Sequence, residues 1–291
     1  MTDAGVQKEP KPEPDDSGDE GAPALDATEQ KKAEEEEDLD AKTTYEVIRR
    51  MGKRELERST SALVWSGLAA GLSMGLSLAA EGVLRAHLPD SEWRPLVAKL
   101  GYSVGFLVVI LGSQQLFTEN TLTPIVPFLA KPGWETGRDV VRLWASVLVA
   151  NLVGTALFAY IVARTVAFRP EVRDAFELIG RESMEGGFTE KLIRAVFAGW
   201  LIALLVWMLP AASQAKVWVI ILMTWLLGAS GLTHVIAGTA DVVFLVARGV
   251  ETWTGYLSGF LAPALIGNMF GGLTLVAALN HAQVSAGKKD E

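Results

Sequence analysis

Three histidines, His87, His234 and His281, are the side chains of this 291-residue sequence whose charge changes near neutral pH. His87 and His281 fall at the ends of apolar segments, where a polar tip reaches water. His234 falls among Leu232, Val235 and Ile236, and an ionisable group at membrane depth is costly enough to mark a functional position. From there it could hand a proton to a weak-acid anion. The plainer alternative is a neutral ring bonded to carbonyls freed by a helix break. Asp241 follows seven residues later, about two turns along the same helix face, and either shares that path or pairs with a base. Glu119, next to Thr118, either faces a pore or turns away to pair. Glu81 and Arg85 have the spacing of a helical ion pair. The sequence has no cysteine, which excludes disulfides, thiolate metal sites and a cysteine nucleophile. It also lacks a His-Glu-x-x-His run and a Gly-x-Ser-x-Gly elbow. Neither a metal, a cofactor nor an enzymatic activity is expected.

The elements that must position these residues are membrane spans. Six apolar segments, each near the ~20 residues that cross a bilayer, run over 61–84, 100–117 with a continuation at 122–130, 140–163, 195–212, 217–227 with a continuation at 235–247, and 257–279. Trp65, Trp93, Trp134, Trp207, Trp218 and Trp253 lie near their ends, where amphipathic rings favour the headgroup level. Gly67, Gly71 and Gly75 form a stripe on the first segment that lets another helix approach closely. The formal charge of −8 hides a division: residues 1–40 hold 15 acids against 4 lysines, and the rest 19 acids against 22 bases. Four regions are expected: a disordered acidic tail at 1–41, a basic amphipathic juxtamembrane helix at 42–60, a six-helix channel domain at 61–283 and a short tail at 284–291. The bases before the first span place the N-terminus in the cytoplasm, and six spans return the C-terminus there. No basic face remains for nucleic acid.

The second and fifth segments carry turn-forming residues in mid-membrane: Thr118-Glu119-Asn120-Thr121-Leu122-Thr123-Pro124 and Gly228-Ala229-Ser230-Gly231-Leu232-Thr233-His234. Both read as broken helices. Asn151-Leu152-Val153-Gly154 in the third segment is echoed by Asn268-Met269-Phe270-Gly271 in the sixth. Each half of three spans then has its break in the middle and its Asn-x-x-Gly at the end. Three being odd, the halves must be inverted relative to each other. Unwound backbone at that depth lines a buried or water-filled path, so two matched breaks mark a permeation site.

Leu116-Phe117-Thr118-Glu119-Asn120-Thr121, Leu232-Thr233-His234-Val235-Ile236-Ala237-Gly238 and Gly267-Asn268-Met269-Phe270-Gly271-Gly272 resemble, in order, the motifs of the formate/nitrite transporter family. The resemblance covers about residues 60–283. It implies an all-α, aquaporin-like protomer in a homopentamer of the bacterial inner membrane, multi-pass in the lipid bilayer. Each subunit would have its own pore for small monovalent anions such as formate or nitrite. Carried over by motif, the central histidine is His234 and the loop threonine facing it is Thr118. Leu116, Phe106 and Tyr102 take the constriction positions on one side and Leu227 the bulky position on the other. Asn151, Asn268, Glu119 and Thr233 are placed along the same pathway. A bare anion crossing an apolar ring loses hydration at a cost of several kcal/mol, whereas its neutral acid crosses cheaply, so protonation between the rings solves the problem. Thr118 would bond the substrate or orient the imidazole, or else cap the half-helix. The sequence departs from the family at Thr233, where an acid is frequent, at Gly238, where an asparagine is frequent, and at Glu119, where a small residue is usual. Two other readings stand beside the anion pore: a neutral-solute channel, although paired Asn-Pro-Ala signatures are absent, and a scaffold with a vestigial pore whose tail recruits a partner.

Overall fold

The computed structural model describes residues 41–274. The acidic tail apart from Ala41, the tail at 284–291, His281 and the end of the sixth apolar segment lie outside the described residues. Helix α1 spans Ala41–Leu56, with Thr44, Tyr45, Ile48 and Gly52 buried along one face. Sequence alone places this helix on the membrane surface, but its apolar face is taken up by protein. Tyr45 and Ile48 pack with Leu122, Ile125 and Val126, and a Cβ on Gly52 would collide with the Thr123 carbonyl. Opposite, Arg49 and Arg50 each approach the Glu46 carboxylate at 2.7 Å and hold its pKa down to about 2. Arg142 closes the C-terminal end of α1, donating to the Leu56 carbonyl at 2.6 Å and the Arg58 carbonyl at 2.9 Å.

Helix α2, Thr60–His87, starts where the Ser59 hydroxyl accepts the Ala62 N–H. Short helices α3, Arg94–Ala98, and α4, Ser103–Leu111, follow. The chain then leaves the helix at Gly112, passes Ser113 at φ +51°, makes a 3-10 turn at Glu119–Thr121 and enters α5, Ile125–Ala130. The interruption therefore begins at Gly112, six residues before the Thr118 expected from sequence. Leu116 and Phe117 look like helix continuation because they are apolar, yet they are loop residues buried in the core. The remaining helices are α6, Trp134–Arg164; α7, Pro170–Met184; α8, Phe188–Met208; α9, Lys216–Ala229; and α10, Val235–Arg248. A π-helical stretch at Gly255–Leu261 leads into α11, Ala262–Gly272. Between α9 and α10 the chain turns at Gly231, whose φ of +62° is open to glycine without penalty. Helix α7 was not expected; it is amphipathic, with Val172, Ala175, Phe176 and Ile179 on its buried face.

Among the described residues, four helical stretches are long and apolar enough to cross a membrane: Thr60–His87, Arg94–Leu111, Trp134–Arg164 and Phe188–Met208. Helices α6 and α8 start earlier than hydropathy places them, because their first turns carry Glu135, Arg138, Asp139, Glu190 and Lys191. Those polar turns suit the interface and extend the helix beyond the apolar core.

Two helix pairs pack at very close range. On α2, Gly71 lies against the Asn151 carbonyl of α6 and Gly75 against the Phe158 ring, while Gly154 of α6 lies against the Leu68 carbonyl. On α8, Gly199 lies against Asn268 of α11, and Gly271 of α11 lies against the Val196 carbonyl. The glycine stripe on the first span is thus a packing surface, and a β-carbon at any of these positions overlaps its neighbour. Gly71→Val and Gly199→Val are each expected to destabilise the fold by about 1–3 kcal/mol through overpacking. Thermal unfolding in detergent checks this, and an unchanged midpoint for either variant contradicts the packing assignment.

Candidate functional site

The two interruptions are tied down by two asparagines in the same way. Asn151, fully buried on α6, accepts the Phe117 N–H at 2.8 Å and donates to the Gln115 carbonyl at 2.9 Å and the Gly67 carbonyl of α2 at 2.8 Å. Asn268, fully buried on α11, accepts the Val235 N–H at 2.8 Å and donates to the Thr233 carbonyl at 2.9 Å and the Ala195 carbonyl of α8 at 2.8 Å. Each amide therefore brackets one residue, Leu116 in the first case and His234 in the second. With acceptor and both donors engaged, neither asparagine has a donor left for a permeating solute. Sequence reading sets both along the pathway; in the structure each amide spends its acceptor and both donors on backbone groups. Two residues that sequence reasoning missed finish the first loop: Ser66 accepts the Gln115 N–H at 3.0 Å, and Trp144 donates to the Asn120 carbonyl at 2.7 Å. Only the polar run at Gln114 and Gln115 could have signalled that the loop starts so early.

His234 and Thr118 meet, 116 residues apart, with Nε2 and Oγ1 2.8 Å from each other. His234 is also the N-cap of α10, its Nδ1 accepting the Ala237 N–H at 3.1 Å. The bond it makes is thus to a freed N–H, not to the freed carbonyls that the plainer sequence reading supposed. An accepting Nδ1 assigns the proton of the neutral ring to Nε2, which then donates to Thr118 Oγ1 and leaves the threonine hydroxyl proton for another acceptor. Thr118 itself makes no capping bond to the 3-10 turn that follows it. The Phe106 ring lies edge-on to the imidazole at 5.1 Å, and Tyr102 lies 5.5 Å from Phe106. Leu116 and Leu227 are fully buried in the same apolar cluster as Phe106.

Two cavities flank this pair. One, of about 300 Å³, is lined by Lys99, Tyr102, Thr233, His234, Gly238 and Asp241, with Glu182 and Arg194 at its rim. The other, of about 460 Å³, is lined by Arg54, Glu55, Arg58, Ile110, Gln114, Glu119 and Lys216. Helix α8 touches the first through Arg194 and the second through Val206, roughly 18 Å apart at helical rise. Helix α9 does the same through Gly228 and Lys216, and the α4 segment through Tyr102 and Ile110. The cavities therefore sit at opposite ends of these helices, with Phe106 midway along α4. Charges near the first cavity are paired across elements: Lys99 with Glu81 at 2.5 Å and Arg85 with Glu182 at 2.6 Å. The expected Glu81–Arg85 helical pair is not made, because each group finds a partner on another element. Among the described residues Asp241 makes no ion pair; it accepts the Ser183 hydroxyl at 2.9 Å and lines the same cavity as His234. His87 is exposed beyond the pair and bonds the Val83 carbonyl.

Comparison with known proteins decides the lineage. A sequence model of the formate/nitrite transporter family matches residues 42–282. The chain belongs to the formate/nitrite transporter family. It is 42% identical over 244 residues to the inner membrane protein YfdC of Escherichia coli, a match covering 84% of this chain and 79% of that protein. It shares the fold of a structure described as an FNT family ion channel, at a TM-score of 0.71 and 19% identity, over 82% of this chain and 98% of the other. A pentameric formate channel with formate bound superposes at a TM-score of 0.64 and 21% identity, over 77% of this chain and 97% of that one. Membership makes this a membrane transport protein and not an enzyme.

The asparagine clamps of this family member carry a clear energetic expectation. Removing either amide leaves a buried N–H and two carbonyls unpaired, at about 1–3 kcal/mol per group. Asn151→Ala and Asn268→Ala are expected to lose several degrees of thermal stability in detergent, whereas Leu116→Ala, which keeps its clamp, loses only side-chain packing. Equal melting of wild type and either asparagine variant would contradict the clamp.

Proposed function

We propose that this family member is a pore for small monovalent weak-acid anions, formate and nitrite foremost, with proton exchange at His234. The observation that carries this reading is the His234–Thr118 pair, enclosed among apolar side chains between two polar cavities. An anion waiting in either cavity faces a dehydrating barrier of Phe106, Leu116 and Leu227, and a proton donor stands inside it. The donating state is the imidazolium, in which Nδ1 has taken a proton and released the Ala237 N–H; its Nε2 proton passes to Thr118 Oγ1 as the hydroxyl proton leaves for the anion, the ring is left neutral with its proton on Nδ1, and a neutral acid crosses the apolar side chains. Thr233, Tyr102 and Glu119 line the approaches. The matching Asn151 and Asn268 clamps, and the matching glycine contacts of α2 with α6 and α8 with α11, support an inverted repeat of three spans with a broken middle helix in each half. The likeness to a pentameric formate channel supports a homopentamer. The likeness to YfdC supports an inner-membrane location, and the bases of α1 support cytoplasmic termini.

A second reading has one specific observation behind it: the Ala237 N–H bond to Nδ1 makes His234 a helix cap. Reconstituted protein is expected to pass formate and nitrite faster as pH falls from 8 to 4, and His234→Ala to change that profile. Isotope flux into liposomes measures both. If no weak-acid anion moves, the transport reading fails; if the variant keeps the wild-type profile, His234 is a cap and no more.

A further inference from the structure

The loop between α4 and α5 is rich in polar side chains, and nearly all of them are bonded within the protein. Asn120 donates to Gln115 Oε1 at 2.9 Å, Thr121 to the Thr118 carbonyl at 2.8 Å and Thr123 to the Glu55 carboxylate, while Thr118 meets His234. Two acceptors are left over. Among the described residues, Glu119 Oε1 and Gln114 Oε1 are enclosed without a hydrogen-bond partner, and both residues line the cavity of about 460 Å³. An enclosed acceptor without a donor is costly, so a pair of them in one cavity marks a place for a ligand that brings a donor.

Glu119 directly follows Thr118 in the chain and lines the cavity on this side. The charged groups that line its cavity are Arg54 and Glu55 from α1, Arg58 just after it and Lys216 from the start of α9; α4 contributes Ile110, and α8 with its C-cap contributes Val206 and Leu209, which carry no charge. None of the ion pairs among the described residues involves Glu119. A bare anion offers only acceptors and is repelled by a carboxylate. An undissociated acid offers an O–H.

We propose that Glu119, with the Gln114 amide oxygen in the same cavity, is a second proton-exchange station that takes the proton from an undissociated acid arriving from the Thr118 side. The acid O–H bond breaks as an O–H bond forms on the Glu119 carboxylate; the anion leaves past Lys216 and Arg58, and the proton follows into the cavity water. Transport the other way runs the same steps in reverse. The station defines a substrate class: monovalent acids weak enough to carry a proton at working pH pass, and anions of strong acids, such as nitrate or chloride, do not. This inference rests on the weak-acid reading given above.

The test is formate and nitrate flux into proteoliposomes between pH 4 and 8, for wild type, Glu119→Gln and Glu119→Asp. The isosteric Glu119→Gln is expected to lower formate flux roughly tenfold, less than the 10²–10⁴ of a general acid–base group because cavity water substitutes in part. It also flattens the pH profile, and Glu119→Asp recovers the profile. A Glu119→Gln variant that conducts formate faster at every pH shows a repelling charge only, and overturns the proposal. So does one with unchanged flux and profile, or wild-type protein that conducts nitrate as fast as formate. If Glu119→Gln does not assemble, Gln114→Leu reads the same site: a severalfold loss of formate flux supports it and an unchanged flux overturns it. Absence of any weak-acid flux in wild type overturns the underlying pore reading as well, and so is distinguishable from failure at Glu119 alone.

Discussion

A peptide group that leaves a helix inside a bilayer has no water to bond, and each one left unpaired costs several kcal/mol. Both interruptions of this fold answer that constraint with one side-chain amide that accepts an N–H on one side of a residue and donates to the carbonyl on the other. The same amide also reaches a carbonyl of a neighbouring helix, Gly67 of α2 or Ala195 of α8. Such reach is available only if backbones nearly touch. That accounts for the glycines at 71, 154, 199 and 271, where the space for a β-carbon is already taken by main chain. Small residues and buried asparagines are two halves of a single solution.

With the backbone satisfied, the centre can stay apolar. Phe106, Leu116 and Leu227 are buried, and the polar groups among them are His234 and Thr118, bonded to each other. Charge is kept to the two ends. On one side Lys99 and Arg85 neutralise Glu81 and Glu182; on the other, Arg54, Arg58 and Lys216 share a cavity with Glu55 and Glu119. Charged groups therefore stand on both sides of the apolar centre.

Much of this was legible in sequence, for identifiable reasons. The position of the second break was visible because Gly228, Ser230 and Gly231 are turn formers in an apolar run, and the meeting of His234 with Thr118 followed from motif resemblance. The echo of Asn151 in Asn268 was visible too, but its meaning was not: an amide in a span reads equally as a lining or a clamp until its partners, 33 to 84 residues away, are in place. The first break was misplaced because Leu116 and Phe117 are hydrophobic whether they sit on a helix or in a buried loop. An amphipathic stripe does not say which apolar surface will cover it, so sequence alone places α1 on the membrane surface; here its buried face meets α5 and its approach. Helix α7 was hidden in a connection of mixed charge.

The bracketing bonds have one further consequence. They grip the main chain on either side of Leu116 and of His234 and make no use of the side chain between. The asparagine grip is thereby indifferent to the identity of the residue it brackets. Leucine and histidine both occupy a bracketed position here, and at His234 the side chain adds a bond of its own by capping α10.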